Sequence, residues 1–358
     1  MLERTSKEEI LEKKKRRNAA KKAWKTIRRK KRMKLAKSSK TLLESGLLKV
    51  SEPHLTSVRT KSGRHIVHLF NKTPHTIACG PFWELRWAFG CPLNCAYCYL
   101  RGTMRGKMQP RYVNIKHVLA ALECVFNDES FNNGKPAIFN SGELADSWMK
   151  PESMIQILDK FEEQDKHRIL TLTKFGVKNR MVRMLKEKFH KQAIVAFSIN
   201  ATKVAQLYET SAPPPISRIE AASQLANLGY DVRVRVDPVF PIDNWQEHYK
   251  DIIFSIFAGF EPVRLILGTP RGLRKTILFG KKAGVDMSWT KYLEKRETGW
   301  GWKLPFQTRF EIYQFLYDHL SMLGFPKDRI SMCKESLEMW KAMKLEYTPF
   351  TCNCYGKE

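Results

Sequence analysis

Residues 81–100 read PFWELRWAFGCPLNCAYCYL, an apolar run typical of a buried strand, followed directly by a loop with three cysteines. Cys91, Cys95 and Cys98 have the spacing C-x3-C-x2-C, which suits three corners of a [4Fe–4S] cube. A zinc knuckle is the alternative interpretation. Zinc needs a fourth Cys or His at short range, and residues 99–113 contain neither. The loop therefore predicts an iron–sulfur cluster with one iron that has no protein ligand.

That open iron suits a chelating cofactor. S-adenosylmethionine (SAM) can bind it through its amino and carboxylate groups, and one electron passed into the sulfonium gives methionine and a 5′-deoxyadenosyl radical. The loop also follows a predicted strand, at the edge where barrel enzymes place their sites. The motif therefore indicates radical SAM chemistry.

The rest of the body alternates β-branched runs with amphipathic stretches, which predicts an α/β fold with a parallel sheet. Six βα units fit a partial (β/α)6 barrel, and a flat doubly wound sheet fits the pattern nearly as well. The predicted strands cover 82–87, 136–140, 169–173, 194–199, 232–236 and 263–267. We expect four parts: a basic, helical or disordered N-terminal extension (1–45), a hairpin-containing lead-in (55–80), the barrel (81–285) and a C-terminal region with a Cys-bearing tail (286–358).

Polar residues follow several of these strands, where parallel strands present their carboxyl ends to one rim. We expect this rim to bind the cofactor. The candidates are Ser141, Gly142 and Glu143 after the second strand, Lys174 after the third, Ser198 and Asn200 at the fourth, and Arg235 with Asp237 at the fifth, Asp237 being the weakest because Asp-Pro commonly just ends a strand.

The formal net charge is +27, and residues 1–40 contribute 18 Lys or Arg against 4 Glu. Such an excess favours a polyanionic partner, since basic side chains on phosphates release condensed counterions. A solubilising surface and an anionic membrane surface are the alternatives. The sequence contains no apolar run long enough to cross a bilayer and no apolar leader, so we expect a cytoplasmic protein, in a host cytoplasm if it is viral.

The run Cys95-Ala96-Tyr97-Cys98-Tyr99-Leu100 resembles the signature of spore photoproduct lyases, and later segments, LTKF (172–175), FSIN (197–200) and VRVDP (234–238), are similar to that family as well. The resemblance covers about residues 80–270. It implies a partial barrel, a [4Fe–4S] cluster, SAM, an electron donor such as flavodoxin or ferredoxin, and a thymine-derived base in DNA as substrate. It also implies that Tyr97 lies along the SAM adenine and that Lys174, Ser198 and Asn200 contact SAM. Tyr99 would be catalytic, facing the substrate and relaying a hydrogen atom, and Glu143 is the second catalytic candidate.

One departure from the family bears on the reaction. The lyases have a cysteine on the strand after the cluster loop that quenches the thymine radical, whereas residues 139–146 here read FNSGELAD. Glu143 stands near that place, and a carboxylate O–H bond is too strong to donate a hydrogen atom to carbon. We therefore expect an isomerase, similar to bacteriophage relatives that move the link of an aminoacylated thymidine from nitrogen to the α-carbon. The alternatives are a repair lyase that uses a tail cysteine and an RNA-modifying radical enzyme.

A second group of cysteines lies near the C-terminus. Cys333, Cys352 and Cys354 suit an auxiliary cluster or zinc, with Cys79 or His319 as a fourth ligand. One of them is alternatively a hydrogen donor at the barrel mouth, or all three are reduced thiols without a role. Trp300 and Trp302 are candidates for stacking on bases, with packing as the equal alternative.

Overall fold

The computed structural model describes residues 48–50, 57–295, 300–348 and 352–354, so the predicted N-terminal extension lies outside the described residues. The strands are β1 (Leu48–Val50), β2 (Ser57–Thr60), β3 (His65–Phe70), β4 (Ile77–Ala78), β5 (Phe82–Leu85), β6 (Ala88–Phe89), β7 (Arg111–Tyr112), β8 (Ile138–Asn140), β9 (Arg168–Thr173), β10 (Ala193–Ser198), β11 (Asp231–Val236), β12 (Arg264–Leu267), β13 (Ile330–Met332) and β14 (Glu335–Ser336).

The α-helices are α1 (Leu100–Thr103), α2 (Ile115–Phe126), α3 (Pro151–Phe161), α4 (Arg180–Glu187), α5 (Thr202–Tyr208), α6 (Pro215–Ala226), α7 (Trp245–Gly259), α8 (Arg274–Lys282), α9 (Phe306–Met322) and α10 (Leu337–Ala342), and 3-10 turns cover Phe131–Gly134, Ser288–Tyr292 and Lys327–Arg329. Local capping explains some boundaries. The side chain of Asn114 accepts from the amide of Lys116 at 3.0 Å where α2 begins, and Asn179 caps α4 in the same way. No helix of the described residues is both long and apolar enough to span a bilayer.

The main sheet has the strand order β1-β2-β3-β5-β8-β9-β10-β11-β12-β13 within the described part of the chain. From β5 onward all neighbours are parallel, and all six predicted strands are present. The α/β expectation is therefore confirmed. Strand β10 is buried along its whole length, which explains its uninterrupted apolar sequence, AIVAFS.

Besides the six predicted strands the sheet has a further parallel strand that the sequence did not predict, since β13 pairs with β12. With only three residues, β13 is too short to show a clear periodic signal. It also carries the barrel sheet beyond residue 285, where we expected a separate C-terminal region. The hairpin of β2 and β3 is present, but β3 pairs with β5, so the lead-in is part of the same sheet.

The sheet is strongly curved, which distinguishes a partial barrel from the flat alternative. Five strand spacings separate β8 from β13, about 24 Å in a flat sheet at about 4.8 Å per spacing. Yet the ammonium of Lys334, two residues after β13, lies 3.8 Å from the carboxylate of Glu143, three residues after β8. Strand β14 then pairs with β4 and joins the two ends of the curve.

Alternate residues of the parallel strands face the barrel interior. Ile138, Leu170, Ile194 and Ala196 form a small interior cluster, and Cys354 of the tail packs against it. The neighbouring Asn353 is buried and accepts a hydrogen bond from Arg233 Nη1 through its carbonyl oxygen at 2.9 Å. Residues 352–354 therefore lie inside the barrel.

Candidate active site

A cavity of about 490 Å³ opens at the carboxyl ends of the parallel strands. It is lined by all three cysteines of the loop, by both neighbouring tyrosines and by residues that follow β8 to β13. This is the edge at which we expected the site. The cavity thus brings together residues from nearly the whole length of the body.

The cysteine loop is held in shape by a buried arginine. Arg101 Nη2 donates to the carbonyl oxygen of Asn94 at 2.9 Å and to its Oδ1 at 2.7 Å, while Nε donates to the carbonyl oxygen of Cys95. Asn94 has φ +52°, and Gly90 has φ +84°. A Cβ on Gly90 would lie 2.5 Å from the carbonyl oxygen of Gln109, so only glycine fits there. The turn directs the three thiols into one cavity.

The donor set fits an iron–sulfur cube better than a single ion. Among the described residues, no three His, Cys, Asp or Glu side chains are arranged to hold one metal ion. Three thiols around a cube occupy separate corners and need not converge on a point. Burial raises the pKa of Cys91 to about 12 and raises the pKa of Cys95 and Cys98 as well, so binding of iron must displace their protons.

Behind the loop lies a buried charged group, which we call the Glu209 cluster: Tyr97, Lys174, Ser198, Glu209 and Arg218. The hydroxyl of Tyr97 donates to Glu209, and Lys174 Nζ donates to the hydroxyl of Ser198. The Glu209 carboxylate also lies 3.6 Å from Lys174 and 2.6 Å from Arg218. Burial alone would raise the pKa of Glu209, but the two cations hold it below its usual value.

Glu143 is the centre of a second network in the cavity. Its Oε2 accepts from the Tyr99 hydroxyl at 3.0 Å, and its Oε1 accepts from Asn140 Nδ2 at 3.1 Å. Burial would raise the pKa of Glu143, yet Lys334 and Arg235 lower it, so the group is a carboxylate at neutral pH. Burial of the Tyr99 hydroxyl, together with the charge of this carboxylate, raises the pKa of Tyr99 well above its usual value.

Arg235 lies between this network and the last strand. Its Nη2 donates to Asp237 Oδ2 at 2.6 Å and to the sulfur of Cys333 at 3.3 Å. Arg271 donates to the carbonyl oxygen of Cys333 at 2.9 Å and lies 3.4 Å from Asp237. Asp237, the weakest strand-end candidate, therefore fixes two cavity arginines.

Two predicted cofactor contacts lie outside the cavity lining. Ser141 points away from the interior because it follows the inward-facing Asn140, and its hydroxyl bonds to Ser147 and to the carbonyl oxygen of Leu170. Asn200 is buried, donates to the carbonyl oxygen of Pro238 at 2.9 Å and accepts from the Tyr249 hydroxyl at 2.8 Å. Both side chains are therefore engaged in hydrogen bonds within the protein and do not line the cavity. The remaining candidates line the cavity: Tyr97, Tyr99, Gly142, Glu143, Lys174, Ser198 and Arg235.

Sequence reasoning did not identify several residues of this site. Asp146, Arg271 and Lys334 line the cavity, and Glu209 supports it from behind. The alternation of inward positions, counted from Ile138 and Leu170, would have favoured Asn140 over Ser141. No local pattern marks Lys334 or Glu209, since long-range folding brings both to the site.

Gly142 is required for packing. A Cβ there would lie 2.5 Å from Cβ of Leu172 on the neighbouring strand. We expect Gly142→Ala to push the loop outward, to cost about 1–3 kcal/mol and to weaken SAM binding. Denaturant midpoints and equilibrium dialysis with SAM measure the two effects. The double variant Gly142→Ala/Leu172→Gly should restore SAM affinity in part, and no loss in the single variant would contradict the packing argument.

The tail cysteines lie close to this cavity. Cys333 lines it, and the sulfur of Cys354 accepts from Asn140 Nδ2 at 3.6 Å. A hydrogen bond with the Cys354 side chain lowers the pKa of Cys352 to about 6. Within the described part of the chain these thiols do not surround a single ion, so the zinc interpretation finds no support, and an auxiliary cluster remains a prediction.

The other candidates from the C-terminal region have different surroundings. His319 uses Nδ1 to donate to the carbonyl oxygen of Phe315 within α9, at 2.8 Å. Trp300 lines the cavity, whereas Trp302 packs against the core. Of the two tryptophans, only Trp300 is therefore placed to contact a ligand in this cavity.

Fold and site together define a class: an α/β partial-barrel enzyme with a three-cysteine cluster loop at the carboxyl ends of its strands. The family model for spore photoproduct lyase matches residues 79–262, so the chain belongs to that family of radical SAM enzymes. It is 24% identical to the spore photoproduct lyase of Bacillus subtilis (strain 168) over 273 residues, 72% of each chain. It is 25% identical to that of Clostridium acetobutylicum over 178 residues, 48% of this chain and 50% of the relative.

Solved structures show the same fold. A spore photoproduct lyase complexed with dinucleoside spore photoproduct matches with a TM-score of 0.57 and 18% identity, over 70% of this chain and 75% of the other. A doubly substituted mutant of a spore photoproduct lyase, with bound AdoMet and the same dinucleoside, matches equally well. The family implies a [4Fe–4S] cluster and SAM, and Cys91, Cys95 and Cys98 are the residues that fit the cluster.

Proposed function

We propose that this protein isomerises an aminoacylated thymidine in DNA, moving the bond to the thymine methylene from the amino nitrogen to the α-carbon of the amino acid. Atoms and electrons balance within the substrate: a C–N bond and an α C–H bond are exchanged for a C–C bond and an N–H bond. Bound cluster and SAM would supply the 5′-deoxyadenosyl radical that such a rearrangement needs. The observation that carries the proposal is the Glu143 network.

By the family resemblance, Glu143 stands near the place where a lyase has its hydrogen-donating cysteine. Its two carboxylate oxygens accept from Tyr99 and Asn140, and Lys334 lies beside it. An ionised carboxylate has no hydrogen atom to donate. It does hold the Tyr99 hydroxyl in one orientation, and it offers a negative charge to a substrate amino group. The surroundings of Glu143 therefore suit a substituent with charged groups better than an uncharged thymine dimer.

The part of the cavity next to the Glu209 cluster suits SAM. Tyr97 belongs to the cysteine loop, Lys174 and Ser198 lie close to it, and contacts within the cluster hold all three side chains in place. Asp146 is bound by the amide of Lys174 at 2.8 Å and by the hydroxyl of Thr173, so its carboxylate is held rigidly in the same part of the cavity. We propose that these residues orient the cofactor, so that its ribose faces Tyr99 and the substrate.

DNA is the proposed partner because positive charge is not confined to the N-terminal segment. Residues 41–358 contain 45 Lys or Arg against 32 Asp or Glu. The solved relatives whose names include a dinucleoside photoproduct support a nucleotide in this cavity. Electrostatic attraction to phosphates would make binding weaken steeply with salt.

A repair lyase is the second candidate, and one observation favours it. Cys333 lines the cavity, and Arg235 donates to its sulfur at 3.3 Å. This thiol is a hydrogen-atom donor for a thymine radical, in place of the cysteine that the family has after β8. In that case Cys333→Ala should abolish clean repair.

The two candidates are separated by mass spectrometry of nucleosides after incubation with modified DNA. For the isomerase we expect a product of unchanged mass and changed retention from aminoacylated thymidine. Deuterium placed on the α-carbon should appear at the 5′ carbon of the recovered SAM, because the atom returned to the product ends on nitrogen and exchanges with water. Cys333→Ala should retain this conversion, with Cys124→Ala in α2 as the matched thiol control. Plain thymidine released from the photoproduct, with loss of that release in Cys333→Ala alone, would establish the lyase instead.

A further inference from the structure

Lys334 is a half-buried lysine of the cavity to which the proposed reaction gives no role. Its side chain is 16% exposed, and its ammonium faces the cavity. Four aromatic rings surround it, with ring centroids 5.5–6.0 Å from Nζ: Phe70, Phe82, Tyr99 and Trp300. Such rings attract a cation but accept no conventional hydrogen bond.

The ammonium lacks a hydrogen-bond acceptor among the described residues. Its anionic neighbour, Glu143 Oε2, lies at 3.8 Å, beyond hydrogen-bond distance. Burial would lower the pKa of Lys334, but Glu143 raises it above its usual value, so the group is charged. A charged ammonium that has three N–H donors and no acceptor on the part of the protein that the structure describes can donate to an anionic group of a ligand in this cavity.

The backbone keeps this ammonium in place. Lys334 itself has φ +52°. The backbone of the preceding residue, Cys333, is fixed by two hydrogen bonds: its amide donates to the carbonyl oxygen of Leu267 at 2.7 Å, and its carbonyl oxygen accepts from Arg271. The next residue, Glu335, is buried and paired with Lys303 and Arg309. Lys334 is therefore a preorganised donor at the substrate side of the cavity, next to the Tyr99 ring.

We propose that Lys334 binds the carboxylate of the amino acid that is attached to the thymine. The inference rests on the proposed function, since it names the group by which that substrate is selected. Glu143, 3.8 Å away, is then placed to face the amino group of the same substituent, so the pair recognises both charges of an amino acid. A DNA phosphate is the other source of anionic oxygen, and the test below separates the two.

The test measures binding to reconstituted protein with an oxidised cluster and SAM present, by anaerobic equilibrium dialysis. The probes are three: a nucleoside with glycine linked through nitrogen to the 5-methylene carbon, its glycinamide analogue, and thymidylyl-thymidine, which has a phosphate and no carboxylate. We expect wild-type protein to bind the acid at least about tenfold more tightly than the amide, as a charged hydrogen bond implies. Lys334→Met, which keeps the length of the stem, should lose this preference, whereas Lys341→Met on the exposed face of α10 should keep it.

If wild-type protein binds the glycine-linked nucleoside and its glycinamide analogue equally, that result alone would overturn the proposal. A loss of thymidylyl-thymidine binding in Lys334→Met, without an acid preference in wild type, would assign Lys334 to phosphate and overturn it also. A matching fall in SAM affinity would assign it to the cofactor. A clear acid preference without any isomerised product would keep the carboxylate site and refute the proposed function, so the two failures are distinguishable.

Discussion

Cys98→Ala should leave the protein without a catalytic cluster and without activity. The three thiols of the loop are the ligands that fit the cube, and removing one leaves two corners without protein ligands. Enzymes typically accelerate their reactions by about 10⁶-fold or more, so losing the cluster should lower the rate to background. The measurements are visible absorbance after anaerobic reconstitution with iron and sulfide, and formation of 5′-deoxyadenosine from SAM.

Cys124→Ala is the matched control for this experiment. Cys124 lies in α2, outside the cavity lining, and burial raises its pKa to about 11. It should keep both the brown colour and the cleavage of SAM. Cys333→Ala tests whether a cavity thiol outside the loop is needed for cluster binding. A brown, SAM-cleaving Cys98→Ala variant would refute the assignment of the loop.

Glu209→Ala should destabilise the protein by about 3–5 kcal/mol, the usual cost of leaving a buried charge without its partner. The side chains of Glu209 and Arg218 are both fully buried, and Lys174 and Tyr97 depend on the same carboxylate. Urea denaturation of the cluster-free protein measures the loss. Because the pKa of Glu209 is lowered on folding, its stabilising effect is present at neutral pH and disappears as the pH falls through the folded-state value.

A double variant separates stability from function. Glu209→Ala/Arg218→Met removes both buried charges and should recover part of the lost stability. It should not recover SAM affinity, because Tyr97 and Lys174 still lack their common partner. The control is Arg180 on α4, which forms an exposed ion pair with Glu152 on α3. Arg180→Met should change the free energy of unfolding by less than about 1 kcal/mol. A loss below about 1 kcal/mol in Glu209→Ala would contradict the role of the cluster.

Local patterns in the sequence were sufficient for the cluster loop and for most of the body. Cys91, Cys95 and Cys98 carry their chemistry in their spacing, and the long apolar strands, such as β10, can be recognised from residue type alone. Strand-end positions predicted the correct rim of the sheet. They were less reliable for single side chains: Ser141 and Asn200 follow the right strands but point into structural hydrogen bonds.

The sequence by itself identified the loop that fits the cluster, because one short segment supplies all three thiols. The tertiary structure decided what lines the cavity. Glu143 and Lys334 are far apart in the chain, and only the curvature of the sheet brings them within 3.8 Å. The same curvature places Cys333 in the cavity and admits Cys354 to the barrel interior. Such contacts depend on how the whole sheet closes. Helical and strand periodicity cannot predict them, because it reflects only residues that are close together in the chain.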